Sequence, residues 1–361
     1  MRLMKPLLLL LLLTLHALSG YGQGAELKIN VHPGVELLTI IQKLSGKYPE
    51  SSPSNYEKEV LTYFNPYQKH PAVLKIQQFK GTVYPDLTEL GFCFDDSPDL
   101  RLAIPDSSNW YKKYGRAEVI EYLKQCKAFA TQSNFRQFYL THATAYNSWG
   151  ALIREGIEKD HLLEKLHDFY KSESLPRFYI CLDPLNGWGA HATPHPELFN
   201  SVYMGIKAYT IGFYSTKSDS TKTPVFQYGG YATNLVWHEG GHIYLQDLFT
   251  RHKSQIDALA YLYNRNDPGM KSQNVGSWTY CMNENVVRGV VIALFKEHKT
   301  ERAWKRQNAQ EVLNDFVYAE DISKIVLADY IGNKKHADFD AFFPVLLLKL
   351  KKLHPEKMQV K

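Results

Sequence analysis

Two histidines four residues apart constrain this chain more than any other feature. They stand in Tyr231-Ala-Thr-Asn-Leu-Val-Trp-His238-Glu239-Gly-Gly-His242-Ile-Tyr-Leu. In a helix that spacing puts both imidazoles on one face, where they reach a single metal ion. Glu239, beside the first histidine, is placed to act on a water bound to that ion, and the pattern is that of a zinc site. The flanking Leu235, Val236, Trp237, Ile243, Tyr244 and Leu245 are uncharged, as a helix buried under an active site requires. At this composition a chance His-Glu-x-x-His has a probability of about 0.03. The bland alternative is a core helix with paired histidines and no metal.

A catalytic zinc takes three protein ligands and leaves one position open. The metzincin pattern fails, because Leu245 stands where its glycine would be and Leu248 where its third histidine would be. Between His242 and position 284 the acids are Asp247, Asp257 and Asp267, and the first glutamate is Glu284. It lies in Tyr280-Cys-Met-Asn-Glu284-Asn-Val-Val-Arg288-Gly-Val-Val-Ile-Ala-Leu-Phe295. A charged residue in so apolar a helix is costly unless it is paired or binds a metal. Arg288, four residues on, shares its face and can hold the carboxylate from behind. A plain Glu284–Arg288 ion pair is the structural alternative, and Asp257 and His252 stay open as other third ligands. Tyr280, one turn before Glu284, is the first candidate to stabilise an oxyanion, with His191 and His195 behind it. Gly240 and Gly241 each weaken a helix by about 1 kcal/mol relative to alanine, so they imply a close approach by a substrate, a strand or packing.

His238, Glu239, His242 and a glutamate on a following helix resemble the gluzincin class of zinc metallopeptidases. The chain also resembles a secreted, Bacteroidetes-type family known only as a domain of unknown function. That likeness is carried by Val35-Glu-Leu-Leu38, His70-Pro71-Ala72, the Trp237–His242 stretch and Glu284-Asn-Val-Val-Arg288. The resemblance implies a secreted zinc metallopeptidase of zincin-like fold. Zn2+ would be held by His238, His242 and Glu284, with Glu239 as general base acting on a peptide or protein substrate. Two rivals remain: a zinc-dependent hydrolase of a non-peptide amide or ester, and a peptidase-like binding protein without turnover.

Other features bound where such a protein works. Arg2 and Lys5 precede an apolar stretch, Pro6 to Ala17, with seven consecutive leucines, and Ser19-Gly-Tyr-Gly22 supplies small residues for cleavage. Residues 1–22 therefore read as a signal peptide, and no lipobox cysteine follows, so the expected place is the periplasm or outside the cell. No stable membrane insertion is expected once it is removed. Removing Arg2 and Lys5 from 42 Lys and Arg leaves 40 against 37 Asp and Glu, a balance of +3 without a long basic block. Nucleic acid is excluded as a partner on that ground. Cys93, Cys126, Cys181 and Cys281 form no C-x-x-C pair and allow three disulfide connectivities or none.

The fold expected is α+β, mostly helical, with a small mixed or antiparallel sheet ahead of the metal helix. A helical scaffold over 23–175 and a catalytic region over 176–361 form one continuous unit. Leu27–Val31, Arg177–Leu182 and Ser201–Tyr214 read as strands by their β-branched and aromatic content. Helices are expected over Val35–Leu44, Tyr56–Tyr67, from Pro71, in two or three pieces over Arg116–Tyr170, over Asp257–Tyr263 and over Trp278–His298. An edge strand ahead of the metal helix is what an extended peptide needs for backbone pairing.

Overall fold

The computed structural model describes residues 27–48, 54–78, 86–106, 109–172, 177–186, 192–194, 201–207, 209–210, 224–226, 228–264, 266–272 and 275–355. The expected leader, His191 and His195 lie outside these residues. The chain is mostly helical with a small sheet, an α+β protein. No helix among the described residues is long and apolar enough to cross a membrane.

The sheet is mixed. Strand β1 (Leu27–Asn30) is followed by α1 (Pro33–Leu44), α2 (Asn55–Phe64) and α3 (Pro71–Gln78). Three further helices, α4 (Arg116–Gln132), α5 (Phe135–Lys159) and α6 (Leu162–Tyr170), fill the stretch expected in pieces. Strands β2 (Arg177–Asp183), β3 (Ala192–Pro194) and β4 (Ser201–Lys207) complete the sheet in the order β1-β2-β4-β3. β1, β2 and β4 run parallel, with Leu27 opposite Phe178 and Arg177 opposite Ser201, while β3 lies antiparallel at one edge, Thr193 opposite Tyr203. Parallel neighbours need a crossover, and the helices between Pro33 and Tyr170 lie along it. The largest hydrophobic core cluster among the described residues takes in side chains from Ile29 to Leu350.

α1 starts on an unusual cap. His32 is buried, and its Nδ1 accepts hydrogen bonds from the Gly34 and Val35 amides at 3.1 and 3.3 Å. Those amides have no partner inside the helix, so the ring satisfies them. Burial, with Lys28 nearby, pushes the His32 pKa down to about 3, which keeps the ring a neutral acceptor. Further along α1, Glu36 is buried and accepts a hydrogen bond from the Tyr56 hydroxyl, which lies 2.5 Å from the Tyr146 hydroxyl. Burial and the nearby charge of Asp183 raise the Glu36 pKa to about 8.

The helix that carries His238 and His242 is α7 (Gly230–Arg251), and α8 (Trp278–His298) packs against it. Then come α9 (Glu301–Leu313), α10 (Ala319–Ile325) and α11 (Phe339–Leu353). The middle of each helix, Leu235–Gly241 in α7 and Cys281–Phe295 in α8, is buried on nearly every side, while residues near the ends reach solvent. Trp237 is fully buried, donates its indole N–H to the Leu162 carbonyl at 3.0 Å and meets Phe295 edge-on at 5.3 Å. It therefore ties α7 to both α6 and α8. Between α7 and α8 the chain departs from the single helix expected over Asp257–Tyr263. A short helix ends at Asp257 and a tight turn covers Ala260–Leu262, with Leu259 buried between them. The apolar spacing there serves one buried side chain and not a continuous face, so no helix is sustained.

Candidate metal centre

α7 presents His238 and His242 one turn apart, and α8 brings Glu284 up to them. The two Nε2 atoms are 3.2 Å apart. Glu284 Oε1 lies 3.4 Å from His242 Nε2, and its Oε2 lies 3.6 Å from His238 Nε2. His238, Glu239 and Glu284 are all buried, Glu284 at 7% exposure. Zinc bonds to nitrogen and oxygen of about 2.0–2.2 Å, pointing at tetrahedral corners, separate donor atoms by about 3.3–3.6 Å. The two Glu284 distances, each through a different carboxylate oxygen, fall in that range, and the 3.2 Å between the rings lies just below it.

Glu239 is the competing third donor, since His238, Glu239 and His242 also offer ligand atoms within 4.8 Å of one another. Glu284 brings one carboxylate oxygen to each ring, Oε1 to His242 and Oε2 to His238, both within 3.6 Å. The other sequence candidates are engaged elsewhere. Both ring nitrogens of His252 are bonded, to Gln255 at 2.8 Å and Asp340 at 2.6 Å, and Asp257 pairs with Lys253.

Two neighbours orient the donors. Asn283 Oδ1 lies 2.6 Å from His242 Nδ1, so that nitrogen carries the hydrogen and Nε2 keeps its lone pair for the metal side. Arg288 donates from Nε and from one terminal nitrogen to Glu284 Oε2, at 3.3 and 3.2 Å. The i+4 spacing forecasts this contact. No spacing rule forecasts Asn283, and its only sequence signal is an amide side chain next to a candidate ligand.

Charge follows from this geometry. Burial alone would raise the Glu284 carboxyl, but the His242 hydrogen bond and the charges of His242 and Arg288 hold it well below the usual carboxylate range. Burial lowers His238 far below the ordinary imidazole value, helped by Arg288 and His242, so its ring is neutral. Burial also opposes charge on His242, yet Glu284 overrides it and raises this second ring. Two imidazoles and a carboxylate thus converge on a point that calls for positive charge.

The paired glycines have a packing role. A Cβ at Gly241 would meet a Val287 methyl at 2.7 Å and the Tyr170 hydroxyl at 3.2 Å, and one at Gly240 would meet a Leu166 methyl at 2.6 Å. Gly241 therefore sets how closely α8 approaches α7, and with it the reach of Glu284. Val287 is β-branched and stiff, whereas the Leu166 tip can swing aside. Gly241→Ala is expected to lose about 1–3 kcal/mol by overpacking despite its better helix propensity, and Gly240→Ala to lose less. Urea unfolding of both variants checks the order, and equal or greater loss in Gly240→Ala would contradict it.

Tyr280 sits on α8 at the rim of the centre, 49% exposed. Burial of its inner part and the charges of Glu284 and Glu239 raise its pKa against the pull of Arg288, so the phenol stays protonated.

The family described as "Domain of unknown function (DUF4932)" matches residues 103–349, which span the whole centre. The chain belongs to that family. No curated protein and no solved structure matches it.

Proposed function

We propose that the chain is an exported zinc metallopeptidase of the gluzincin kind, with a zincin-like arrangement around α7. The observation that carries this reading is the convergence of His238, His242 and Glu284 at 3.2–3.6 Å. Bound there, zinc would supply Lewis acidity towards a carbonyl and acidify a water. Glu239, buried and next to the first ligand, takes the proton from the attacking water and delivers one to the leaving amine. Tyr280 donates its phenolic hydrogen to the developing oxyanion. The antiparallel edge strand β3 packs against α7, and an extended peptide can pair with such an edge. The leucine-rich start and its preceding basic residues support export.

Elemental analysis of the purified chain is expected to find one zinc per chain. A chelator should remove cleavage of denatured protein and of peptide libraries together with the metal. Tyr280→Phe is expected to lower kcat about 10²-fold with little change in KM. A zinc-free chain, or a zinc-loaded chain that cleaves no peptide, would sink the peptidase reading. An unchanged kcat in Tyr280→Phe would remove Tyr280 from the mechanism.

A further inference from the structure

The carboxylate of Glu284 is gripped from one side only. Both Arg288 contacts go to Oε2, at 3.2 and 3.3 Å, and this oxygen also lies 3.6 Å from His238 Nε2. Oε1 lies 3.4 Å from His242 Nε2, and neither Arg288 contact reaches it. Arg288 itself is fixed from three directions. Its other terminal nitrogen donates to Glu311 Oε2 at 2.8 Å, and its guanidinium lies 3.7 Å from the centre of the Phe316 ring. Glu311 is 2% exposed, and its second oxygen accepts from Gln307 at 2.7 Å.

The same corner is tied to α8 a second time. Asn285, next to Glu284, accepts the Tyr318 amide at 3.0 Å and donates to the Cys281 carbonyl at 2.8 Å. Glu311 and Phe316 both lie where α9 gives way to α10. The segment around that corner therefore holds α8 at two points just after the candidate ligand, through Asn285 and through Arg288.

We propose that Glu311 is a positioning residue for the metal: it locks Arg288 onto Glu284 Oε2, so that Glu284 binds zinc through Oε1 alone. This rests on the zinc reading above. A fork held by two carboxylates loses little freedom when it orients one of them, because its planar donors are already committed. Glu311 also offsets the guanidinium charge, which would otherwise face a dication unopposed.

Orientation and bulk charge predict different patterns in variants. If only charge mattered, Glu311→Gln would weaken zinc binding and Arg288→Gln would strengthen it. If the grip on Oε2 matters, both weaken it, each by about 10–100-fold, the range for residues that orient metal ligands. Arg288→Lys, which keeps the charge but loses the fork, should weaken it as well. Zinc affinity is read by competition with a chromophoric chelator, alongside unfolding of the metal-free chains. Zinc-edge absorption on the wild-type chain should show a single short bond to the carboxylate.

Tighter binding in Arg288→Gln, unchanged affinity in Glu311→Gln, or a carboxylate bound through both oxygens would each overturn the proposal. Should Glu311→Gln fold poorly, Arg288→Lys and the wild-type absorption measurement still decide it. A wild-type chain that takes up no zinc sinks the metal reading and this one together. Ordinary affinity in the variants of a zinc-binding chain sinks this one alone.

Discussion

Glu239→Gln is expected to abolish turnover while leaving zinc in place. The substitution keeps the shape of the side chain and removes its ability to take a proton. General acid–base catalysis contributes about 10²–10⁴-fold, and that factor should disappear from kcat. Metal content should hold at the wild-type value, because the three converging donors come from His238, His242 and Glu284. Glu284→Gln is the mirror experiment, expected to lose zinc first and activity with it. The pair decides between the two glutamates. If Glu239→Gln sheds the metal and Glu284→Gln retains it, the ligand assignment is inverted. If Glu239→Gln keeps full activity, no mechanism with Glu239 as base survives.

The second large effect is on stability. Glu36 titrates near 8 in the folded chain against an ordinary value of 4.5, chiefly because it is buried. Between those two pH values the folded chain holds a proton that the unfolded chain has released. Stability therefore falls as pH rises through that window, is complete below about 4.5 and changes no further above about 8. At about 1.36 kcal/mol per pH unit the full span comes to about 4–5 kcal/mol. Glu36→Gln removes the titration, so urea unfolding at pH 5, 7 and 9 should show a variant that overtakes the wild type as pH rises. The difference between the two chains isolates Glu36 from Asp183, Lys43, Tyr56 and Tyr146, which are common to both. It also isolates it from His32, whose depressed pKa removes stability in the opposite direction, as pH falls from about 6.5 towards about 3. Parallel curves for the two chains would contradict a buried, protonated Glu36.

The centre was legible where its chemistry is local in sequence. His238, Glu239 and His242 sit within two helical turns, and Arg288 follows Glu284 by one turn, so periodicity alone places each pair on one face. Glu284 emerged by elimination, and the Trp278–His298 helix that carries it matches the expected bounds because its apolar run is long. What stayed hidden depends on distant chain segments. Asn283 meets His242 across 41 residues, and Glu311 meets Arg288 across 23, so neither pairing leaves a pattern that spacing can reveal. The sheet was hidden for the same reason. β1, β2 and β4 announced themselves and β3 did not, and the parallel pairing of β1 with β2 depends on a crossover of several helices. Histidine is not an expected cap residue, and only the His32 ring, turned back onto two amides, shows it to be the cap of α1.

The cysteines give the molecule a property apart from catalysis. Cys93, Cys126, Cys181 and Cys281 are all buried and all reduced, so no cross-link holds any part of the fold. A chain built this way needs no oxidant to fold and does not depend on disulfide-forming machinery. Burial raises the Cys281 thiol to about 11 and Cys126 higher still, which keeps both unreactive while their surroundings stay closed. Cys126 lies in the helical scaffold, Cys181 in the sheet and Cys281 on the helix that carries Glu284. Each thiol becomes chemically visible only when its own layer opens, so the chain carries built-in reporters of breathing in three separate places.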